Sequence, residues 1–191
     1  MITTGQSITN SVTGETLVFR TTSADTNGER VVVETFVEPD GAVAAAHVHP
    51  AQEERFEVLA GELEFRLGKR TLVAKPGDRI LVPVGTPHRF RNVGDETAHF
   101  VCEVTPALGF EQLIETMFSL AEDGKVNRKG MPNPLRLAVI ARHHFGDVRL
   151  PFPPAWLQRL GLALGAPLGR LLGYRPTYEP QAPKAPTALG V

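Results

Sequence analysis

The chain has a single cysteine, Cys102. No internal disulfide can form, and nothing in its thiol content calls for an oxidising compartment. It has no surplus of either charge: 20 Lys and Arg stand against 21 Asp and Glu, a balance that argues against a nucleic-acid binder driven by phosphate neutralisation. It also lacks an apolar run of about 20 residues, the length a membrane-crossing helix needs. The most leucine-rich stretch, 156–174, is interrupted by Gln158, Arg159, Pro167 and Arg170. Residues Met1–Ser7 hold neither a basic segment nor an apolar core, so no secretory signal is expected there and a cytoplasmic location is the default.

What is present divides the 191 residues into three parts. Residues 1–105 are strand-rich, with β-branched runs at Thr16–Thr22 and Val31–Val37 and turn signals at Asp25–Glu29, Lys75–Asp78 and Asn92–Glu96. Leu63, Phe65 and Leu67 alternate with Glu62, Glu64 and Arg66, the pattern of a half-buried strand. Residues 106–178 change to helical spacing: Phe110 to Met117 and Phe118 form one expected helix ending near Asp123, Leu135–Phe145 a second, and Trp156–Tyr174 a third. Residues 179–191 are rich in Pro, Ala and Lys, and disorder is expected. Many short strands with regular turns fit a mainly β, closed architecture with C-terminal helices.

Three histidines and one glutamate concentrate the chemistry. His47 and His49 are two apart in an extended apolar stretch, 42–48, and would project from one face, with Pro50 ending the ladder. Glu54 opens an alternating run in which it shares a face with Phe56 and Val58, while Arg55, Glu57 and Leu59 take the other. An inward carboxylate needs a cation. His88 follows the Gly85–Pro87 turn and alternates with Arg89 and Arg91, so it faces inward with Phe90 and Asn92. Imidazole nitrogen and carboxylate oxygen suit Fe, Mn, Ni, Cu or Zn. Burying three imidazoles and a carboxylate with no cation would cost several kcal/mol. A mononuclear site for one divalent transition metal, held by His47, His49, Glu54 and His88, is the first expectation.

The spacing of these residues resembles that of the cupins. Their first motif, a glycine, five residues, His-x-His, three or four residues, Glu, six residues and a glycine, is met by Gly41, His47, His49, Glu54 and Gly61. Their second, a glycine, five residues, Pro-x-Gly, two residues, His, three residues and Asn, is met by Gly77, Pro83, Gly85, His88 and Asn92. The resemblance covers residues 30–105 and implies a double-stranded β-helix, or jelly-roll barrel, with a metal on the same four residues. It also implies a homodimer, since small cupins commonly pair. It does not imply a reaction, because cupins include dioxygenases, isomerases, cyclases, decarboxylases and non-catalytic binders.

The inward set Phe56, Val58, Leu63, Phe65, Leu67 and Phe90 suggests an apolar substrate pocket beside the metal, suited to an aromatic or otherwise hydrophobic small molecule. The leading expectation is therefore a dioxygenase-type oxidoreductase using Fe(II) or Mn, with Ni, Cu or Zn as alternatives and Glu54 as a possible general base. A Lewis-acid isomerase or cyclase is the second, and a non-catalytic small-molecule binder the third. His99 and Glu103 share one face of a strand and Phe100 and Cys102 the other, and parity alone does not say which looks inward. His143 and His144 have no matching ligand nearby in sequence. Arg55 and Arg66 would face outward. The third helix, with Arg159, Arg170 and Arg175 among its leucines, could pack on the barrel, cover its mouth, or lie on a membrane surface.

Overall fold

The computed structural model describes residues 2–180. Residues 181–191, all but two of the tail expected to be disordered, lie outside the described residues. Nine strands form where β-branched and aromatic residues alternate with polar ones between turns. They are β1 (Ser7–Asn10), β2 (Glu15–Thr21), β3 (Val31–Val37), β4 (Glu53–Ala60), β5 (Leu63–Leu67), β6 (Arg70–Ala74), β7 (Arg79–Val82), β8 (His88–Asn92) and β9 (Ala98–Thr105). One sheet runs in the order β1-β2-β3-β9-β4-β7 and the other in the order β6-β5-β8, with every pairing antiparallel. The two sheets form a jelly roll around an apolar core.

The two-residue period sets the inside. β3 buries Val31, Val33, Thr35 and Val37, and β9 buries Ala98, Phe100, Cys102 and Val104. That resolves the parity of β9: Phe100 and Cys102 look into the barrel. His99 lies on the outer face, stacked on Phe36 at 4.3 Å and hydrogen-bonded to Glu34 at 2.6 Å. Gly61 turns the chain from β4 to β5 at φ 73°, where a Cβ would lie 2.7 Å from the Ala98 Cα; no other residue fits there.

The stretch 42–48 is not the continuous strand expected. It touches its neighbours only through isolated bridges, Ala42 with Arg91, His47 with His88 and Val48 with Arg149, and bends at Ala44 and Ala45. Alanines give a pleated surface little to pack, and Pro50 follows closely. Even so, the segment runs beside β8 and extends the smaller sheet.

Three helices follow the barrel: α1 (Phe110–Glu122), α2 (Pro134–His143) and α3 (Ala155–Leu171). Phe110 and Phe118 of α1 join the barrel core. α2 starts on an Asn133 side chain that accepts from the Arg136 N–H, with proline in its first turn. α2 and α3 both stop short of the expected ends, Phe145 and Tyr174. Beyond α3, Gly173 takes φ 81° and the Tyr174 N–H returns to the Gly169 carbonyl. α3 packs on α2 through its small residues: a Cβ on Gly169 would lie 2.5 Å from the Leu135 carbonyl oxygen, and one on Gly165 3.1 Å from the Ala138 Cβ. Among the described residues, no helix is long and apolar enough to cross a membrane.

Candidate metal centre

Three elements deliver the four side chains. His47 and His49 come from the bridged segment beside β8, Glu54 from the inner face of β4, and His88 from the first position of β8. The turn before His88 is pinned by the Gly85 N–H donating to the His49 carbonyl at 2.8 Å, which ties the two histidine-bearing segments together. One ligand atom from each of His47, His49, Glu54 and His88 lies within 4.8 Å of the others. The imidazole centroids are 4.3 Å apart for His47 and His88, 5.0 Å for His47 and His49, and 5.5 Å for His49 and His88. His49, Glu54 and His88 are buried, and His47 keeps partial exposure. Solvent therefore approaches the cluster on the His47 side.

Each ring is oriented by its other nitrogen. Nδ1 of His47 meets the Ala45 carbonyl at 2.9 Å, Nδ1 of His88 the Thr86 carbonyl at 3.0 Å, and Nδ1 of His49 the Asp147 carbonyl at 2.8 Å. A carbonyl only accepts, so all three Nδ1 atoms carry the proton, and each ring in its neutral form has its lone pair on Nε2. The His49 Nδ1–H is shared with Gln52 Oε1 at 3.0 Å, and the Gln52 amide donates to the carbonyls of Pro106 and Ala107. His88 Nε2 comes within 2.7 Å of Glu54 Oε2, yet neither atom has a partner in hydrogen-bonding geometry. Buried polar atoms arranged in this way suit a cation shared between them, and the donor set of three imidazole nitrogens and one carboxylate fits a single divalent transition metal.

The electrostatics of His47 and Glu54 favour their ligating forms. Burial, with the neighbouring His88 and His49, pushes His47 down to about 3, so its ring stays neutral. Burial alone would raise Glu54, but the contact with His88 and the surrounding imidazoles hold it at about 2. Such a carboxyl stays ionised at neutral pH, which suits coordination and leaves it little affinity for the proton a general base must take. Burial would lower His88, but Glu54 and the Thr86 carbonyl together raise it, so a proton competes with an ion for this ring. Burial pushes the inward Cys102 thiol well above its usual value, so it stays protonated and inert.

The six apolar candidates share the barrel interior. Phe56 meets Phe65 at 5.1 Å and Phe90 at 6.3 Å, and Phe100 lies 5.6 Å from Phe56 and 5.2 Å from Phe90. Val58, Leu63 and Phe65 are fully enclosed core, while half-buried Leu67 stands opposite His88 in the β5–β8 register. Arg55 and Arg66 are exposed on the outer faces. His143 is exposed and meets Gln112, whereas His144 is buried against Asp147 at 2.9 Å. Gln52 and the Asp147 carbonyl are contributors that the sequence did not single out. Gln52 had a signal, since it shares the inward parity of Glu54, Phe56 and Val58. A backbone carbonyl 98 positions from its histidine has none.

Comparison with known proteins agrees with this architecture. A family model described as "Cupin domain" matches residues 33–104. A stretch of 66 residues is 38% identical to polyketide synthase CurC of Streptomyces cyaneus, covering 35% of this chain and 43% of that protein. Uncharacterized protein YdbB of Bacillus subtilis (strain 168) is 48% identical over 48 residues, 24% of this chain and 42% of its own length. Among solved structures, the polyketide cyclase RemF of Streptomyces resistomycificus is 29% identical with a TM-score of 0.44, over 49% of this chain and 66% of that one. The chain spans about half the length of the curated relatives it matches, between 42% and 58%.

Proposed function

The chain carries a cupin domain and belongs to the cupin superfamily; from that premise we propose that it is a metal-dependent enzyme acting on a small, largely apolar organic substrate, of the dioxygenase type. One observation carries the proposal: three imidazoles with Nδ1 tied to carbonyls turn Nε2 toward a buried carboxylate, in a cluster open on one side. His47, His49, Glu54 and His88 would hold the ion. A divalent metal bound there, Fe(II) or Mn in this proposal, would supply a Lewis-acidic, redox-active centre for substrate and dioxygen. Glu54 removes one unit of the ion's charge. Phe56, Phe90 and Leu67 lie closest along the chain and register to Glu54 and His88, and they exclude water and set the preference for an apolar substrate. Val58, Leu63 and Phe65 support them from the core.

The match to polyketide synthase CurC favours a second reading. A substrate with several carbonyl groups would be cyclised or isomerised through its enol, with the same four residues holding a purely Lewis-acidic ion. The test is elemental analysis of protein purified without a metal-affinity tag, then anaerobic Fe(II) loading and oxygen-uptake assays with catechols and 1,3-dicarbonyls. One ion per chain, with oxygen uptake that disappears in His88→Ala together with the metal, is the expected outcome. Product formed with Zn and no oxygen consumed selects the cyclase or isomerase. A His88→Ala protein that loses its metal and keeps its turnover sinks both readings.

A further inference from the structure

α3 is built inside out for a helix in water. The face it buries against α2 holds Gly165, Ala166 and Gly169, while its large side chains point away from the protein. Trp156 is 67% exposed, Leu164 68% and Leu171 84%, and Leu157, Leu160, Leu168 and Leu172 are exposed beside them. At ~100° per residue these seven fall within about 160° of the helix circumference, so they form one stripe. Phe152, just ahead of the helix, extends it at 79% exposure. The stripe presents on the order of 1,000 Å² of apolar side chain, well above the few hundred Å² of an ordinary soluble monomer.

The charge along this stretch of chain has one sign, up to Glu179, which lines a groove with Arg175. From Val148 to Tyr178 there is no Asp or Glu, only Arg149, Arg159, Arg170 and Arg175. Over the longer span 124–178 nine Lys and Arg face one Asp, a net of +8; the whole chain is −1, which leaves −9 on the rest. The one acid, Asp147, is occupied by His144. Arg159 and Arg170 fall on one line of the helix, at the border between the packed face and the apolar stripe. From there a guanidinium reaches past the leucines into a polar layer. Arg142 and Arg159 also line a groove of about 240 Å³ with Phe145, Leu162 and Ala163, open to an anionic group.

We propose that α3 docks this protein on an anionic lipid surface, with the Trp156–Leu172 stripe in the acyl boundary and Arg159, Arg170 and Arg175 among the headgroup phosphates. A membrane surface supplies both things the face lacks, apolar depth and negative charge. A second copy of α3 would supply the apolar half and add only more arginine. A second copy's barrel would supply acid, but its exposed apolar side chains, Leu59, Val73, Leu81 and Val84, stand among paired charges such as Arg79 with Glu57 and Arg91 with Glu64.

The only tryptophan of the chain is Trp156, so its emission reports this face directly. The full chain is mixed with vesicles of phosphatidylcholine alone, and with vesicles of phosphatidylcholine and phosphatidylglycerol in equal parts. The expected result is co-sedimentation with the anionic vesicles and a blue shift of Trp156, both weakened by added salt, with neutral vesicles bound at least ~10-fold more weakly. Leu164→Gln with Leu168→Gln, at exposed positions that leave the circular dichroism unchanged, should weaken binding at least ~10-fold, and Arg159→Gln with Arg170→Gln should do so on anionic vesicles only. No shift with either vesicle, or undiminished binding of the leucine variant, overturns the proposal. So does a blue shift without lipid that grows with protein concentration, which assigns the face to a second copy.

Discussion

Glu15 sits on the inner face of β2 in line with Leu17 and Phe19, a buried carboxyl far along the sheet register from the metal cluster. Burial raises it from 4.5 to about 7. Because the folded value lies above the unfolded one, the protonated form favours folding. Its stabilisation is complete below pH 4.5 and is lost as the pH rises through 7. That interval corresponds to roughly 3 kcal/mol. Glu15→Gln keeps the shape and removes the ionisation, so it should match the parent protein at pH 4 and exceed it in stability by up to that amount at pH 8. Urea titrations at the two pH values check this, and equal stability differences at both would show that Glu15 is not the group that limits the fold at high pH.

At the scale of elements, the segment after α2 reaches back to the metal cluster. Asp147 gives its carbonyl to His49, Arg149 bridges Val48, and the His144–Asp147 pair packs under Gly109 just ahead of α1. A Cβ on Gly109 would stand 2.4 Å from Asp147 Oδ2 and 2.8 Å from His144 Nδ1. Gly109→Ala must therefore push this turn outward and loosen His49. Outer-shell losses of this kind lower metal affinity by about 10–100-fold, readable by competition with a chromophoric chelator. Gly146→Ala, in the same turn with nothing within 4 Å of its Cβ, should leave affinity unchanged. Equal affinities for the two variants would show that the turn does not hold the histidine. Much of the remaining element structure was legible because it is local. The shared inner face of Leu63 and Phe65 and of His88 and Phe90, and the leucine spacing of α3, each follow from a period that a short window contains. The orientation of β9 was not, since Phe100 and His99 swap faces with a one-residue change of register and only the long-range pairing with β3 and β4 decides it. The break at Ala44 and Ala45, the shared proton on His49 and the outward leucines of α3 likewise depend on partners distant in sequence.

At the scale of the whole molecule, the candidate metal cluster lies where barrel and extension meet, since all four ligands come with the barrel strands or their flanks while the carbonyl orienting His49 comes from residue 147. Anything that binds the folded cluster and not the unfolded chain stabilises both parts together. At a free-ion concentration 100 times the dissociation constant the gain is about 2.7 kcal/mol, which for a chain of this size raises Tm by roughly 5–10 °C. Two probes then report at different scales: far-UV circular dichroism follows the whole chain, and Trp156 follows α3 alone. If the Asp147–His49 bond joins the parts into one cooperative unit, divalent metal should shift both transitions upward by the same amount, a chelator should reverse the shift, and His88→Ala should abolish it. A dichroism transition that moves while the Trp156 transition stays in place would mean that the helices melt independently of the ion. In that case the carbonyl of Asp147 leaves His49 before the barrel unfolds.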